Sequence, residues 1–136
     1  MNQVPNIHAL LRQAGNNLSA IDQVAAFLLR QRQPLKPVLK AYQQFLSRQP
    51  GSTNAAFNYA YYLSKDGQFE VAVSMYERAL KSGISGAEEV HLNIANIYMD
   101  HLKQPELAKQ HLHNSLTIKP DYARDRKSRR LNSSHL

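Results

Sequence analysis

The feature that most constrains this chain is an internal repeat. Leu35, Val38, Leu39, Tyr42, Phe45 and Leu46 fall at i, i+3, i+4, i+7, i+10 and i+11, the spacing of one apolar helix face. Adding 34 gives Phe69, Ala72, Val73, Tyr76, Ala79 and Leu80, apolar at every position and with Tyr again fourth. The segment before each copy repeats too. Ala25, Ala26 and Leu29 map by 34 onto Tyr59, Ala60 and Leu63, and by a further 35 onto Ile94, Ala95 and Tyr98. A third second helix follows one residue late, with Ala108, Leu112, Ser115 and Leu116, and the spare residue falls in the turn at 100–104. A two-helix unit of this size cannot bury its apolar face alone, so its neighbours must stack on it.

Each copy carries a small residue on its first helix (Ala26, Ala60 and Ala95), where two helices of a hairpin must approach closely. Turn and cap signals fit the same division. Asp66-Gly67 separates the helices of the second unit. Ser85 to Glu88 has capping-box spacing before the third. Pro34 and Pro105 stand where second helices begin, and Pro50 and Pro120 close their hairpins.

The period and its residues resemble the tetratricopeptide repeat. The first unit, 19–52, reads Asp22, Ala25-Ala26, Leu29, Val38, Tyr42, Phe45 and Pro50. The second, 53–86, reads Ala56, Tyr59-Ala60, Leu63, Ala72, Tyr76 and Ala79, with Ile84 where the family has Pro. The third, 88–121, reads His91, Ile94-Ala95, Tyr98, Ala108, Leu112, Ser115 and Pro120. The first departs most, with Asp22 at a large-residue position and Phe45 at a small one. The resemblance implies an all-α fold, a right-handed solenoid of antiparallel helical hairpins over 19–122. Residues 6–14 read as a helix ending at Gly15, so 1–18 form a capping segment. Asp121 to Arg124 reads as the opening of a fourth hairpin.

The same resemblance implies a non-enzymatic scaffold that binds a protein or peptide in a concave groove lined by first helices. By register that groove takes Gln23, Phe27 and Arg30 from the first unit. It takes Phe57, Asn58, Tyr61 and Lys65 from the second, and Leu92, Asn93, Asn96 and Asp100 from the third. Asn58 and Asn93 stand two residues before the small alanine. In some family members such asparagines pair with a bound peptide backbone, since the amide both donates and accepts; the alternative is a local structural role. Val24 interrupts the series. The Lys and Asn of the family's carboxylate clamp are absent near Gln23 and Phe27.

Other chemistry is not indicated. With no cysteine, disulfides and thiolate metal sites are excluded. His111 and His113 point to different faces of one helix, so no metal is expected. There is no glycine-rich phosphate loop and no Gly-x-Ser-x-Gly elbow, so neither cofactor nor catalytic residue is expected. Glu88 and Glu89 read as first-turn acids favoured by the helix dipole. No apolar run is long enough to span a bilayer, and the first five residues do not read as a signal peptide, which points to a cytoplasmic protein with no membrane partner.

The net charge of +7 raises nucleic-acid binding, but residues 125–136 hold four Lys/Arg against one acid, and the remaining +4 is spread without a basic stripe, so no nucleic-acid partner is expected. That terminal stretch resembles the translation of a sequencing-adapter oligonucleotide; the alternative is a genuine disordered basic tail. On the first reading the natural protein continues beyond Arg124. Residues 86–102 look similar to repeats that precede a sulfotransferase domain in bacterial proteins. The alternative function is therefore the substrate-recruiting arm of a larger transferase, a sulfotransferase or glycosyltransferase. Without a polar terminal helix, the flank of the third hairpin is expected to be exposed and open to self-association.

Overall fold

The computed structural model describes residues 6–121. The expected fourth hairpin, apart from Asp121, and the 123–136 tail lie outside them. Seven helices and no strand occur among the described residues: α1 Ile7–Ala14, α2 Leu18–Arg30, α3 Lys36–Arg48, α4 Thr53–Lys65, α5 Phe69–Lys81, α6 Ala87–Asp100 and α7 Pro105–Ile118. The fold is all-α, three helical hairpins (α2–α3, α4–α5 and α6–α7) preceded by α1. Contacts group α1–α5 into one compact unit ending at Ser82, and α6–α7 into a second beginning at Gly83.

The helices start where side chains can cap them. Asn6, Asn17 and Ser52 each accept a hydrogen bond from the backbone N–H three residues on, at 3.1–3.2 Å. The expected capping box at Ser85 does not form. The cap of α6 is Gly86, in a left-handed conformation (φ 75°) and without a side-chain bond. Pro105 opens α7 as expected. In the first hairpin, however, Pro37 rather than Pro34 sits in the helix, whose first residue is Lys36. Pro34 belongs to the connection.

The three hairpin turns share one device. A residue with positive φ reverses the chain: Arg32 (52°), Gly67 (82°) and Lys103 (54°). The next N–H then returns to the preceding helix, Gln33 to Leu28, Gln68 to Leu63 and Gln104 to Tyr98, each at 2.9 Å. Only the second turn uses glycine. A side chain in this conformation costs about 1 kcal/mol, which the flanking helix packing absorbs at Arg32 and Lys103.

In the first unit the core is a column of aromatic and small residues. Tyr42 and Tyr76 are fully buried, on α3 and α5. The Tyr42 ring stacks on Tyr59 (6.0 Å) and Tyr62 (5.8 Å) from α4. Its hydroxyl donates to Asp22 Oδ1 at 2.5 Å. Asp22 on α2 thus satisfies a buried phenol.

The first-helix register differs by one residue from the expected one. The buried stripe is Ile21, Ala25 and Leu28 on α2, then Ala56, Ala60 and Leu63 on α4, an offset of 35. On α6 it is Val90, Ile94 and Ile97, a further 34. Ala25, Ala60 and Ile94 are each 0% exposed, whereas Ala26 and Leu29 are only half-buried. On α2 burial thus selects Ala25 over Ala26, whereas on α6 both Ile94 and Ala95 are buried.

In the second unit Ser115 takes the place of Ala79, fully buried, and its hydroxyl donates to the Glu88 carbonyl at 2.8 Å. Leu112 and Leu116, on the expected apolar face, remain exposed, with Leu107 and Ile118.

Candidate functional site

Two features of the first helices stand out as surfaces for a ligand. The first is a cavity of about 350 Å³ between α1 and α2, lined by Leu10, Gln13, Ala14, Asn17, Ala20, Gln23, Val24 and Phe27. That volume lies at the lower end of ligand pockets, and the mix of apolar walls with a few amides suits a side chain inserted from outside. Gln23 and Phe27 were expected to face a ligand. The wall supplied by α1 was not, because α1 has no counterpart in the repeat and its register could not be inferred from another copy.

The second feature is an aromatic and cationic edge at the ends of α2 and α4. Tyr61 is 37% exposed. Its ring meets Tyr62 edge-on at 5.0 Å, and Lys65 Nζ lies 5.2 Å from the ring centre. Burial pushes the Tyr62 phenol above its ordinary range; the Tyr61 and Asp22 side chains add to this, and the Arg30 guanidinium partly offsets it. Arg30 on α2 thus acts on Tyr62 of α4. Arg30, Tyr61 and Lys65 form an exposed edge with cations at the last residues of both helices.

Three expected groove residues are half-buried or buried. Phe57 packs edge-on against the core Tyr76 at 5.5 Å, inside the α4–α5 hairpin. Asn58 donates its amide N–H groups to both Asp22 oxygens, at 3.1 Å each. Leu92 is only 8% exposed. The Asn58 amide therefore ties α4 to α2, and its donors are spent. Asn93, like Asn58, stands two residues before a buried alanine, Ala95. Asn93 and Asn96 are half-buried; Asp100 is exposed, and its carbonyl accepts from Lys103 Nζ at 3.2 Å. Burial raises the Asp22 carboxyl above its ordinary range, against the opposing effect of the Tyr42 and Asn58 hydrogen bonds.

A histidine pair in the second unit went unnoticed in the sequence, because its members lie on different helices. His91 Nδ1 on α6 and His111 Nδ1 on α7 are 2.9 Å apart, with ring centres 5.2 Å apart. One imidazole must donate and the other accept. Tyr98 stacks on His111 at 5.9 Å. Burial lowers the His91 pKa below 6.5. As pH falls through 6.5, the unfolded chain takes up a proton before the folded one, so stability is lost towards acid and is fully present above 6.5. The thermal midpoint should fall more steeply between pH 7.5 and pH 5.5 in the parent than in His91→Gln. Equal slopes would remove the pair from any acid response.

Among the described residues no group of three or more His, Cys, Asp or Glu could hold a metal ion, and no helix is long and apolar enough to cross a membrane. A tetratricopeptide repeat family model matches residues 53–82, the α4–α5 hairpin. A solved structure titled "Crystal structure of MamA" superposes with a TM-score of 0.70 at 14% identity, over 87% of this chain and 67% of that one. At that identity the likeness shows the fold alone. No curated protein matches the sequence.

Proposed function

We propose that this tetratricopeptide-repeat chain is a peptide-binding scaffold without catalytic machinery of its own. It takes a segment of a partner protein along the first helices of its first two hairpins. The observation that carries this reading is the exposed edge of Arg30, Tyr61 and Lys65 at the ends of α2 and α4, with Gln23 and Phe27 also on α2. An exposed tyrosine held by a neighbouring cation gives a rigid anchor at low entropic cost, and partner surfaces concentrate binding energy in such residues. The α1–α2 cavity accepts an apolar side chain, with Gln13 and Gln23 to pair with peptide amides.

The test is to select peptides from a random display library on the intact protein and measure the best by fluorescence anisotropy. Tyr61→Ala should weaken binding at least about tenfold, or roughly 1.4 kcal/mol, with no change in thermal midpoint. Unchanged affinity in that variant, or selected peptides that bind a surface unaffected by substitutions at Phe27 and Tyr61, would overturn the assignment.

A further inference from the structure

Charge is not evenly spread in space, although it looked so along the sequence. Residues 6–48 contain six Lys/Arg and one acid, Asp22, which is turned inward to Tyr42 and Asn58. Half of those cations converge on one groove. A cavity of about 550 Å³ between α1 and α3 is lined by His8, Leu11, Arg12 and Gly15 on one side, and by Pro37, Lys40, Ala41, Gln44 and Arg48 on the other. No acid lines it. Arg12 and Lys40 make no ion pair among the described residues. Arg48 is fixed at one end by donating to Asn16 Oδ1 at 3.2 Å, which leaves most of its guanidinium donors to the groove.

We propose that this α1–α3 groove is a second binding site, for an acidic amphipathic peptide segment. Three cations around a concave, partly desolvated wall give a positive potential with no local counter-charge, and a carboxylate entering it gains charge-assisted hydrogen bonds. The floor of Leu11, Pro37 and Ala41 is apolar, so a ligand gains by alternating acidic with aliphatic side chains. RNA fits less well. Not one lining residue is an aromatic large enough to carry a base as Phe, Tyr or Trp does, and single-strand binding draws heavily on such stacking. The site uses the second helix of the first hairpin and the capping helix, so it shares no residue with the surface on α2 and α4.

The probe is a capped, fluorescein-labelled peptide of alternating Glu and Leu, read by anisotropy with the full chain. It should bind at least about tenfold more tightly than the same peptide with Gln for Glu, and weaken as salt rises. Arg12→Glu/Lys40→Glu should lose at least about tenfold, and the milder Arg12→Gln/Lys40→Gln should weaken it in the same direction. Lys81→Glu/Lys109→Glu, an equal charge change elsewhere, should bind as the parent does. The proposal is overturned by equal binding of the Gln peptide, by undiminished binding in both groove variants, or by an equal loss in the Lys81/Lys109 variant. Tighter binding of a labelled oligouridylate that the groove substitutions abolish would also overturn it.

Discussion

Tyr42→Ala should lower the unfolding free energy by about 4 kcal/mol, within the usual range for removing a buried aromatic ring. Tyr42 is fully buried. It stacks on Tyr59 and Tyr62, and it gives its hydroxyl proton to Asp22. Truncation opens a cavity beneath α4 and leaves a half-buried carboxylate with Asn58 as its remaining donor among the described residues. Tyr42→Phe keeps the ring and removes only the hydroxyl, so its loss should be about 1.5–3 kcal/mol, the range for a hydrogen bond to a charged group. Urea unfolding with a shared slope separates the two. If Tyr42→Phe cost as much as Tyr42→Ala, the ring stack would not be holding α3 to α4.

The second large effect is expected at Ala79, where substitution to Phe should cost about 3 kcal/mol. Ala79 is fully buried, and α4 and α5 run closer together than α2 and α3 do. The equivalent place on α3, 34 residues earlier, holds Phe45, also buried. One repeat thus carries a phenyl ring where the next carries a methyl, and the hairpin with the ring is the one whose helices lie further apart. Ala79→Phe asks the closer hairpin to accept the wider one's residue. The converse, Phe45→Ala, should not be neutral either, because it leaves a cavity worth roughly 3–5 kcal/mol. A thermal melt of Ala79→Phe matching the parent would mean that hairpin spacing is not set by the residue at this place.

Much of the fold was legible in the sequence because a repeated apolar stripe is a redundant signal. Tyr42 and Tyr76 mark it in two copies, and the hairpin built from the second is the part that the family model matches. The first-helix register was not legible to the residue, for a local reason. Ala25 and Ala26 are both small, so a shift of one still sets alanine opposite Ala60. Only burial separates them. The turns at Arg32 and Lys103 gave no sign either, since a left-handed residue announces itself only when it is glycine, as at Gly67. Contacts across the repeat frame were hidden for the same kind of reason. The Asp22 triad joins residues 20 and 36 apart, and the basic groove joins α1 to α3, so neither has a sequence spacing to detect.

The chain lacks cysteine, which makes one measurement unusually clean: the rate of thiol labelling at a cysteine placed in turn at Ala25, Ala26, Ala60 and Tyr61. Hairpins packed in the observed register predict that Ala25→Cys and Ala60→Cys are protected under native conditions, while Ala26→Cys and Tyr61→Cys react readily. Protection at position 26 with rapid labelling at position 25 would contradict the packing from which the buried core and the ligand-facing edge both follow.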